Sequence, residues 1–221
     1  MSYYPIFLQI EGMRVLVVGG GNVAQRKVET LLESGASIFI VSKELTPKLK
    51  RLVDNGDVRF LGEEMKDEFF DDAFIVIAAT DDKDLNHKVS MSARRRDLLV
   101  NAVDQPEDCN FIVPSVVRRG DLLISISTSG KSPALAKKIR ELLEAQFGDE
   151  YGAFLNLMGG LRKEVLALGL SQKENRQIFQ EIIAGGIIEA LALNDWEEIE
   201  STLTRILPPN VNTGEFLRGL K

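Results

Sequence analysis

A glycine-rich loop directly after an apolar run constrains the fold of this chain more than any other sequence feature. The apolar residues 13–18 lead into Gly19-Gly20-Gly21-Asn22-Val23-Ala24, and apolar residues then recur at helical spacing over residues 23–34. A strand, a tight turn and a helix in this order form the context that the G-x-G-x-x-A motif requires. The motif predicts that the pyrophosphate of a dinucleotide lies on the N-terminus of the helix.

The positions of the motif have different predicted roles. Gly19 permits the tight turn, Gly21 lets the pyrophosphate approach the backbone, and Ala24 allows the helix to pack closely on the strand. Asn22 and Val23 begin the helix. The competing interpretation is a glycine-rich turn that binds nothing.

Strands and helices alternate through the first half of the chain, as in a doubly wound parallel sheet of the Rossmann type. The pattern predicts further strands over residues 37–41, 58–61, 73–79 and 98–103, and helices over residues 45–53 and 84–96. We therefore expect an α/β fold in which residues 1–111 form a nicotinamide dinucleotide-binding domain.

The remaining chain has two predicted parts. The first, residues 112–147, reads as strands over 112–117 and 122–128, a turn over 118–121 and a helix over 132–147. This α+β segment is too small to hold a core alone, so the apolar face of its helix favours packing on the first domain or on a second copy of the chain. Residues 148–221 read as a helical C-terminal domain with a loose tail from Pro208.

Composition excludes several classes of protein. The chain has 221 residues, a formal net charge of -6, one cysteine (Cys109) and one histidine (His87). An internal disulfide is impossible, and a zinc site lacks its usual ligands. We expect a cytoplasmic protein without a signal peptide or a membrane span, and the acidic charge argues against general nucleic-acid binding.

The end of the second predicted strand bears on the choice of cofactor. NAD-binding domains place an acidic residue there to bind the ribose hydroxyls. This chain has Ser42 and Lys43 at that point, followed by Glu44. Lys43 would favour the extra phosphate of NADP and Glu44 the ribose of NAD, so the spacing leaves both open. After the fourth strand, the small residues Ala79 and Thr80 offer either a surface for the cofactor or simple packing.

A second candidate site is cationic. Residues 113–140 contain six cations and one anion, although the whole chain is acidic. Within them the loop Thr128-Ser129-Gly130-Lys131 links a strand to a helix that Ser132 would cap. Hydroxyls, free N–H groups and a lysine would suit an anionic ligand, most simply carboxylates. A well-capped helix with a solvated charged face is the alternative.

Asp104 is the candidate base. It follows the fifth predicted strand, at the edge where open parallel sheets gather their ligands. The alternative is a turn residue before Gln105-Pro106. The nearby acidic cluster of Asp81, Asp82 and Asp84 favours a helix cap over a metal site, and no metal site is predicted.

Several segments together resemble the precorrin-2 dehydrogenase family, which includes the N-terminal module of siroheme synthases and free-standing enzymes. They are Pro5-Ile6-Phe7, VVGGGNVAQRKVETLLESGA, IAATDDKDLNHKV, NAVD at residues 101–104, FIVPSVVRRGDLLISISTSGKSPALAKKIR and the helical C-terminal third. The resemblance runs from about Pro5 to Leu207.

The resemblance implies NAD as cofactor and precorrin-2, a tetrapyrrole rich in carboxylates, as substrate. It implies that Asn22, Val23, Lys43 and Glu44 contact the dinucleotide and that Asp104 is catalytic. Some members carry a serine where this chain has Thr128, so the hydroxyl is kept and its type differs.

The implied reaction is NAD-dependent oxidation of precorrin-2 to sirohydrochlorin, by a homodimer that pairs through residues 112–147. Some members of the family also insert ferrous iron to give siroheme, and the sequence leaves that activity open. The rival hypothesis is a non-catalytic sensor of the NAD/NADH ratio.

Overall fold

The computed structural model describes residues 3–211 and 213–218 of the chain. Contacts between residues divide it into two compact units, with the boundary between Val113 and Pro114. The second unit contains both the segment around the predicted hairpin and the helical region. None of the helices in these described residues is long and apolar enough to cross a membrane.

The first unit is an α/β domain around a five-stranded parallel sheet, as the sequence predicts. Its strands are β1 (Arg14–Val18), β2 (Ser37–Val41), β3 (Val58–Gly62), β4 (Ile75–Ala78) and β5 (Leu99–Ala102). They lie in the order β3-β2-β1-β4-β5, and every neighbouring pair is parallel. The order reverses at β1, and the crevice beyond β1 and β4 is where such sheets bind ligands.

Three helices cover this sheet: α1 (Asn22–Glu33), α2 (Pro47–Asp54) and α3 (Lys83–Arg94). Successive residues of a strand point to opposite faces, so Val15 and Val17 of β1 pack in one apolar cluster and Leu16 and Val18 in another. Burial on both faces explains why β1, β2 and β4 read as nearly continuous apolar runs in the sequence, whereas β3, at the edge of the sheet, contains the exposed Arg59.

The second unit begins with a hairpin and one helix. Strands β6 (Ser115–Arg119) and β7 (Leu122–Ile126) pair antiparallel, and α4 spans Pro133–Gln146. The predicted four-residue turn over residues 118–121 is wrong, because Arg118 and Arg119 belong to β6. Gly120, with φ of 55°, supplies the positive φ that a two-residue hairpin loop needs, so the ladder continues to Arg119.

Five more helices build an apolar core of their own. They are α5 (Glu150–Ala167), α6 (Gln172–Ala184), α7 (Ile187–Leu193), α8 (Trp196–Ile206) and α9 (Thr213–Arg218). The expected loose tail from Pro208 is wrong for its described residues. Val211 and Leu217 are buried in the same cluster as Leu161 and Leu203, so apolar burial holds the tail. Asn212 and residues 219–221 of that tail lie outside the described residues.

Candidate functional site

A cavity of about 550 Å³ opens beyond the carboxyl ends of β1, β2 and β4, where the sheet order reverses. Three segments form most of its wall: the glycine loop, the turn after β2 and the turn after β4. The lining residues are Val18, Gly19, Gly20, Gly21, Val41, Ser42, Lys43, Glu44, Leu45, Thr46, Glu63, Met65, Ala79, Thr80, Asp81, Asp82 and Leu85.

The glycine loop passes very close to the turns on either side of it. Gly19 has a φ of 116°, and a Cβ built there would overlap the carbonyl oxygen of Ala79 and lie 2.6 Å from its carbon. A Cβ on Gly20 would overlap the carbonyl oxygen of Glu44. The three segments can therefore converge only if both positions lack a side chain.

Gly21 differs from its neighbours, because a Cβ built on it meets nothing within 4 Å. It is the N-cap of α1, and no side chain of the described residues caps this helix. The N–H groups of the first turn thus stay available to an anion, and the helix dipole favours negative charge there. This geometry fits the pyrophosphate of a dinucleotide.

The first residues of α1 divide into exposed and buried positions. Asn22 and Val23, expected to contact the dinucleotide, are exposed on the first turn, and neither is among the residues that line the cavity. Ala24 is fully buried and packs with Val28 in the cluster on that face of the sheet. A small side chain there lets the helix approach the sheet closely.

The turn after β2 contains both residues on which the choice of cofactor depends. Lys43 and Glu44 are exposed in the cavity wall, and neither forms an ion pair with another residue that the structure describes. The Ser42 hydroxyl donates to the Glu44 carbonyl over 2.6 Å.

Glu63, just after β3, also lines the cavity. The sequence does not predict it as a site residue, because the end of the third strand carries no motif.

The turn after β4 is held by a buried side chain that the sequence analysis missed. Asn86 of α3 is 1% exposed. Its Oδ1 accepts from the Thr80 backbone N–H at 3.1 Å and from the Thr80 hydroxyl at 2.8 Å, while its Nδ2 donates to the Thr80 carbonyl at 2.9 Å. Asn86 therefore positions Thr80 in the cavity wall. An amide at a helix position that faces the sheet is the signal that could have identified it.

The acidic cluster after β4 contains a helix cap, as predicted. Asp82 is the N-cap of α3, and its carboxylate accepts from the Leu85 N–H at 3.0 Å. Among residues 3–211 and 213–218, no group of three or more His, Cys, Asp or Glu side chains could hold a metal ion.

Asp104 lies two residues beyond β5, exposed, with a φ of 58°. It is not among the residues that line the cavity. The buried side chain of the next residue, Gln105, donates through Nε2 to the carbonyl of Lys83 at 3.2 Å. Lys83 begins α3 directly after its N-cap Asp82, which does line the cavity. The turn that carries Asp104 is thus fixed against the helix that borders the crevice.

A buried carboxylate completes the attachment of this turn. Asp108 is 4% exposed and accepts from Gln105 Nε2 at 2.9 Å, while its Oδ1 lies 2.7 Å from His87 Nδ1. About two turns further along α3, Arg94 donates to the carbonyls of Glu107 and Cys109 at 2.8 Å. We call these α3 contacts to residues 105–109 the α3 brace. Its partners lie far apart in the sequence, so no local pattern announces them.

Cys109 is a packed thiol. Its Sγ accepts from the Ala102 N–H at 3.2 Å, and burial raises the pKa of the thiol above its usual value. Lys27 of α1 donates to Asn101 Oδ1 at 2.9 Å, and burial lowers the pKa of its ammonium group. Because its pKa is raised, the Cys109 thiol stays protonated, and a protonated thiol is a poor nucleophile and a poor metal ligand.

In the second unit the predicted cationic loop connects β7 to α4. Thr128 Oγ1 accepts from the Ser132 N–H at 3.2 Å and donates to the Ser132 carbonyl at 3.0 Å. Ser132 caps α4, as predicted, through the Leu135 N–H. The Thr128 hydroxyl is thus engaged within the loop, whereas the ammonium group of Lys131 forms no ion pair with any described residue. Ser129 and Gly130 are exposed between them.

Comparison with known families matches both units of the chain. A family model described as putative NAD(P)-binding matches residues 6–115, and one described as sirohaem biosynthesis protein central matches residues 119–146. The first match assigns the unit that contains the cavity to nicotinamide dinucleotide-binding domains.

Several curated relatives are siroheme synthases. That of Photorhabdus laumondii is 37% identical over 216 residues, which cover 98% of this chain and 46% of the relative. That of Zymomonas mobilis is 37% identical over 218 residues, covering 98% and 46%, and that of Methylobacillus flagellatus is 39% identical over 198 residues, covering 90% and 42%. The chain thus spans less than half the length of each of these relatives.

A solved structure has a similar length. The structure titled "SirC, precorrin-2 dehydrogenase" superposes with a TM-score of 0.77 at 27% identity, covering 92% of this chain and 98% of that one. The similarity therefore extends over both compact units.

Proposed function

Because the chain belongs to the family of precorrin-2 dehydrogenases and siroheme synthase N-terminal modules, we propose that it oxidises precorrin-2 to sirohydrochlorin with NAD as cofactor. The observation that carries the proposal is the similarity to SirC, which spans nearly the whole of both chains.

The crevice of the first unit fits the cofactor. The open space at Gly21 and the uncapped N-terminus of α1 suit the pyrophosphate, and Glu44 suits the ribose hydroxyls. Bound NAD supplies the acceptor for the hydride. The chain contributes the position of the reactants and a group that accepts the proton.

Asp104 is that group in our proposal. Oxidation of precorrin-2 removes a hydride and a proton from the macrocycle, and the carboxylate of Asp104 takes the proton from the substrate. Because Asp104 is exposed, it can pass the proton on to water. The α3 brace keeps the carboxylate at a fixed place beside the crevice, which is the requirement for general-base assistance.

The cationic loop is the proposed site for the carboxylates of the substrate. Lys131 forms no ion pair with a described residue, and Ser129 and Gly130 are exposed, while the Ser129 N–H donates to Ser127 Oγ at 3.0 Å. Thr128 organises the loop through its two hydrogen bonds with Ser132.

The test of this function is the formation of NADH when the purified chain is given precorrin-2 and NAD. Absorbance at the nicotinamide band follows the reaction, and sirohydrochlorin should appear in equal amount. A sensor of the NAD/NADH ratio would bind NAD without turnover, so NAD binding without NADH formation contradicts the proposal.

We expect NAD to stabilise the chain more than NADP, because the carboxylate of Glu44 repels the additional phosphate. A tenfold tighter dissociation constant corresponds to about 1.4 kcal/mol and raises Tm by about 3–6 °C at saturating ligand. Thermal unfolding with each cofactor measures the difference. Glu44→Gln should reduce the difference in Tm between the NAD and NADP complexes. Glu64→Gln, the same change outside the cavity wall, should leave that difference as in the wild type. If NADP raises Tm as much as NAD does, or more, the preference is refuted.

We also propose a homodimer that pairs through the segment of β6, β7 and α4. Leu135 and Leu142 lie on the same face of α4, about two turns apart, and are 51% and 58% exposed. This apolar face of the helix is therefore exposed in the single chain. Light scattering should give about twice the chain mass of 24.6 kDa. Leu135→Asp should shift the protein toward monomer, while Leu193→Asp, at another exposed leucine, should not; a monomeric wild type at micromolar concentration contradicts the assembly.

A further inference from the structure

The helical part of the second unit contains a groove that the proposed reaction does not use. It has a volume of about 960 Å³ and lies between the C-terminal half of α5 and one face of α6. This volume is within the range of small-molecule sites, roughly 300–1,000 Å³. We call it the α5–α6 groove.

The charge of the groove is of one sign. Its lining includes Arg162 of α5 and Lys173 and Arg176 of α6, and it includes no aspartate or glutamate. None of these three cations forms an ion pair with a carboxylate in the part of the chain that the structure describes. The groove thus brings three unpaired cations together although the chain has a net charge of -6.

The acidic residues of α6 lie on its other side. At 100° per residue, Glu174 and Glu181 are on the helix face opposite Arg176. Glu174 is engaged in the capping box with Ser171, and Glu181 accepts from Gln177 Nε2 at 2.8 Å. The carboxylates of this helix thus do not neutralise the groove.

The floor of the groove is apolar. Leu166 and Ile183 line it and are 49% and 58% exposed, and Phe179 also lines it. The guanidinium of Arg162 lies 5.4 Å from the centre of the Phe179 ring. An apolar floor with cations at its edge matches a ligand that has an apolar body and several peripheral anionic groups.

We propose that the α5–α6 groove binds an amphipathic polycarboxylate, and specifically a second molecule of the tetrapyrrole, separate from the one that reacts. The carboxylates pair with Arg162, Lys173 and Arg176, and the macrocycle covers Leu166 and Ile183. The identity of the ligand rests on the proposed function, whereas the preference for a polycarboxylate rests on the groove alone.

Uroporphyrin, a stable porphyrin with eight carboxylates, is the probe. Its fluorescence anisotropy is followed during titration of the full chain in the presence of NAD. We expect two equivalents to bind per chain, and Arg162→Gln/Arg176→Gln should weaken one of them by roughly three- to thirtyfold, the effect of losing two partly exposed ion pairs. Ile183→Asp, which places a negative charge on the floor, should weaken the same equivalent.

The matched control is Lys163→Gln/Arg205→Gln, which removes the same charge from exposed positions outside the groove. Its titration should follow that of the wild type. The inference is overturned if the wild type and every variant bind a single equivalent of uroporphyrin. It is also overturned if the control variant binds as weakly as Arg162→Gln/Arg176→Gln. Formation of NADH from precorrin-2 by the wild type is measured separately, so failure of the proposed function and failure of the groove are read from different experiments.

Discussion

Asp104→Asn should lower the turnover of precorrin-2 oxidation by roughly 10²- to 10⁴-fold, the range that general-base assistance contributes. Asparagine keeps the shape and a hydrogen-bonding oxygen, but it cannot accept the proton. It also tolerates the left-handed backbone that Asp104 adopts, so the turn should persist. The rate of NADH formation at saturating precorrin-2 measures the loss.

Asp97→Asn is the matched control, because Asp97 is also exposed and has a similar φ of 56°. Its turnover should equal that of the wild type. Affinity for NAD should stay unchanged in both variants, since Asp104 does not line the cavity. Turnover of Asp104→Asn within a few-fold of the wild type would exclude it as the base, and loss of NAD binding would make it a structural residue.

Gly19→Ala should destabilise the first unit by about 3–5 kcal/mol. The added methyl group would overlap the carbonyl oxygen of Ala79, and the φ of 116° strains any L-residue, so costs of overpacking and of backbone strain add. Urea unfolding followed by circular dichroism measures the change in free energy.

Gly21→Ala separates this effect from a general effect of changing the glycine loop. The Cβ at Gly21 meets open space, and its φ of -78° is ordinary. The variant should unfold within about 1 kcal/mol of the wild type. Equal stability of Gly19→Ala and Gly21→Ala would contradict the close approach of the loop to Ala79.

The sequence was sufficient to predict the parallel sheet, because most of its strands are short apolar runs bounded by turn signals. The prediction over residues 37–41 coincides with β2, and the glycine motif located the crevice. These signals are local. They require only that a residue's neighbours in the sequence are known.

What escaped prediction depends on contacts between distant residues. His87 and Asp108, which meet in the α3 brace, are 21 positions apart, and nothing near either residue indicates the other. The tail was misjudged for a related reason, since the partners that bury Val211 and Leu217 lie on other helices. The unpaired state of Arg162, Lys173 and Arg176 is likewise visible only after folding.

Helix α3 serves two tasks at once. Asn86 near its start fixes the cofactor side of the crevice through Thr80, and the brace from His87 and Arg94 fixes the turn of Asp104. An opening of this one helix would therefore release both parts together, so amide hydrogen exchange in the two turns should share a common rate. Because one helix carries both sets of contacts, a displacement of α3 as a whole would move the Thr80 turn and the Asp104 turn together, whereas a substitution at Asn86 alone would loosen only the Thr80 turn.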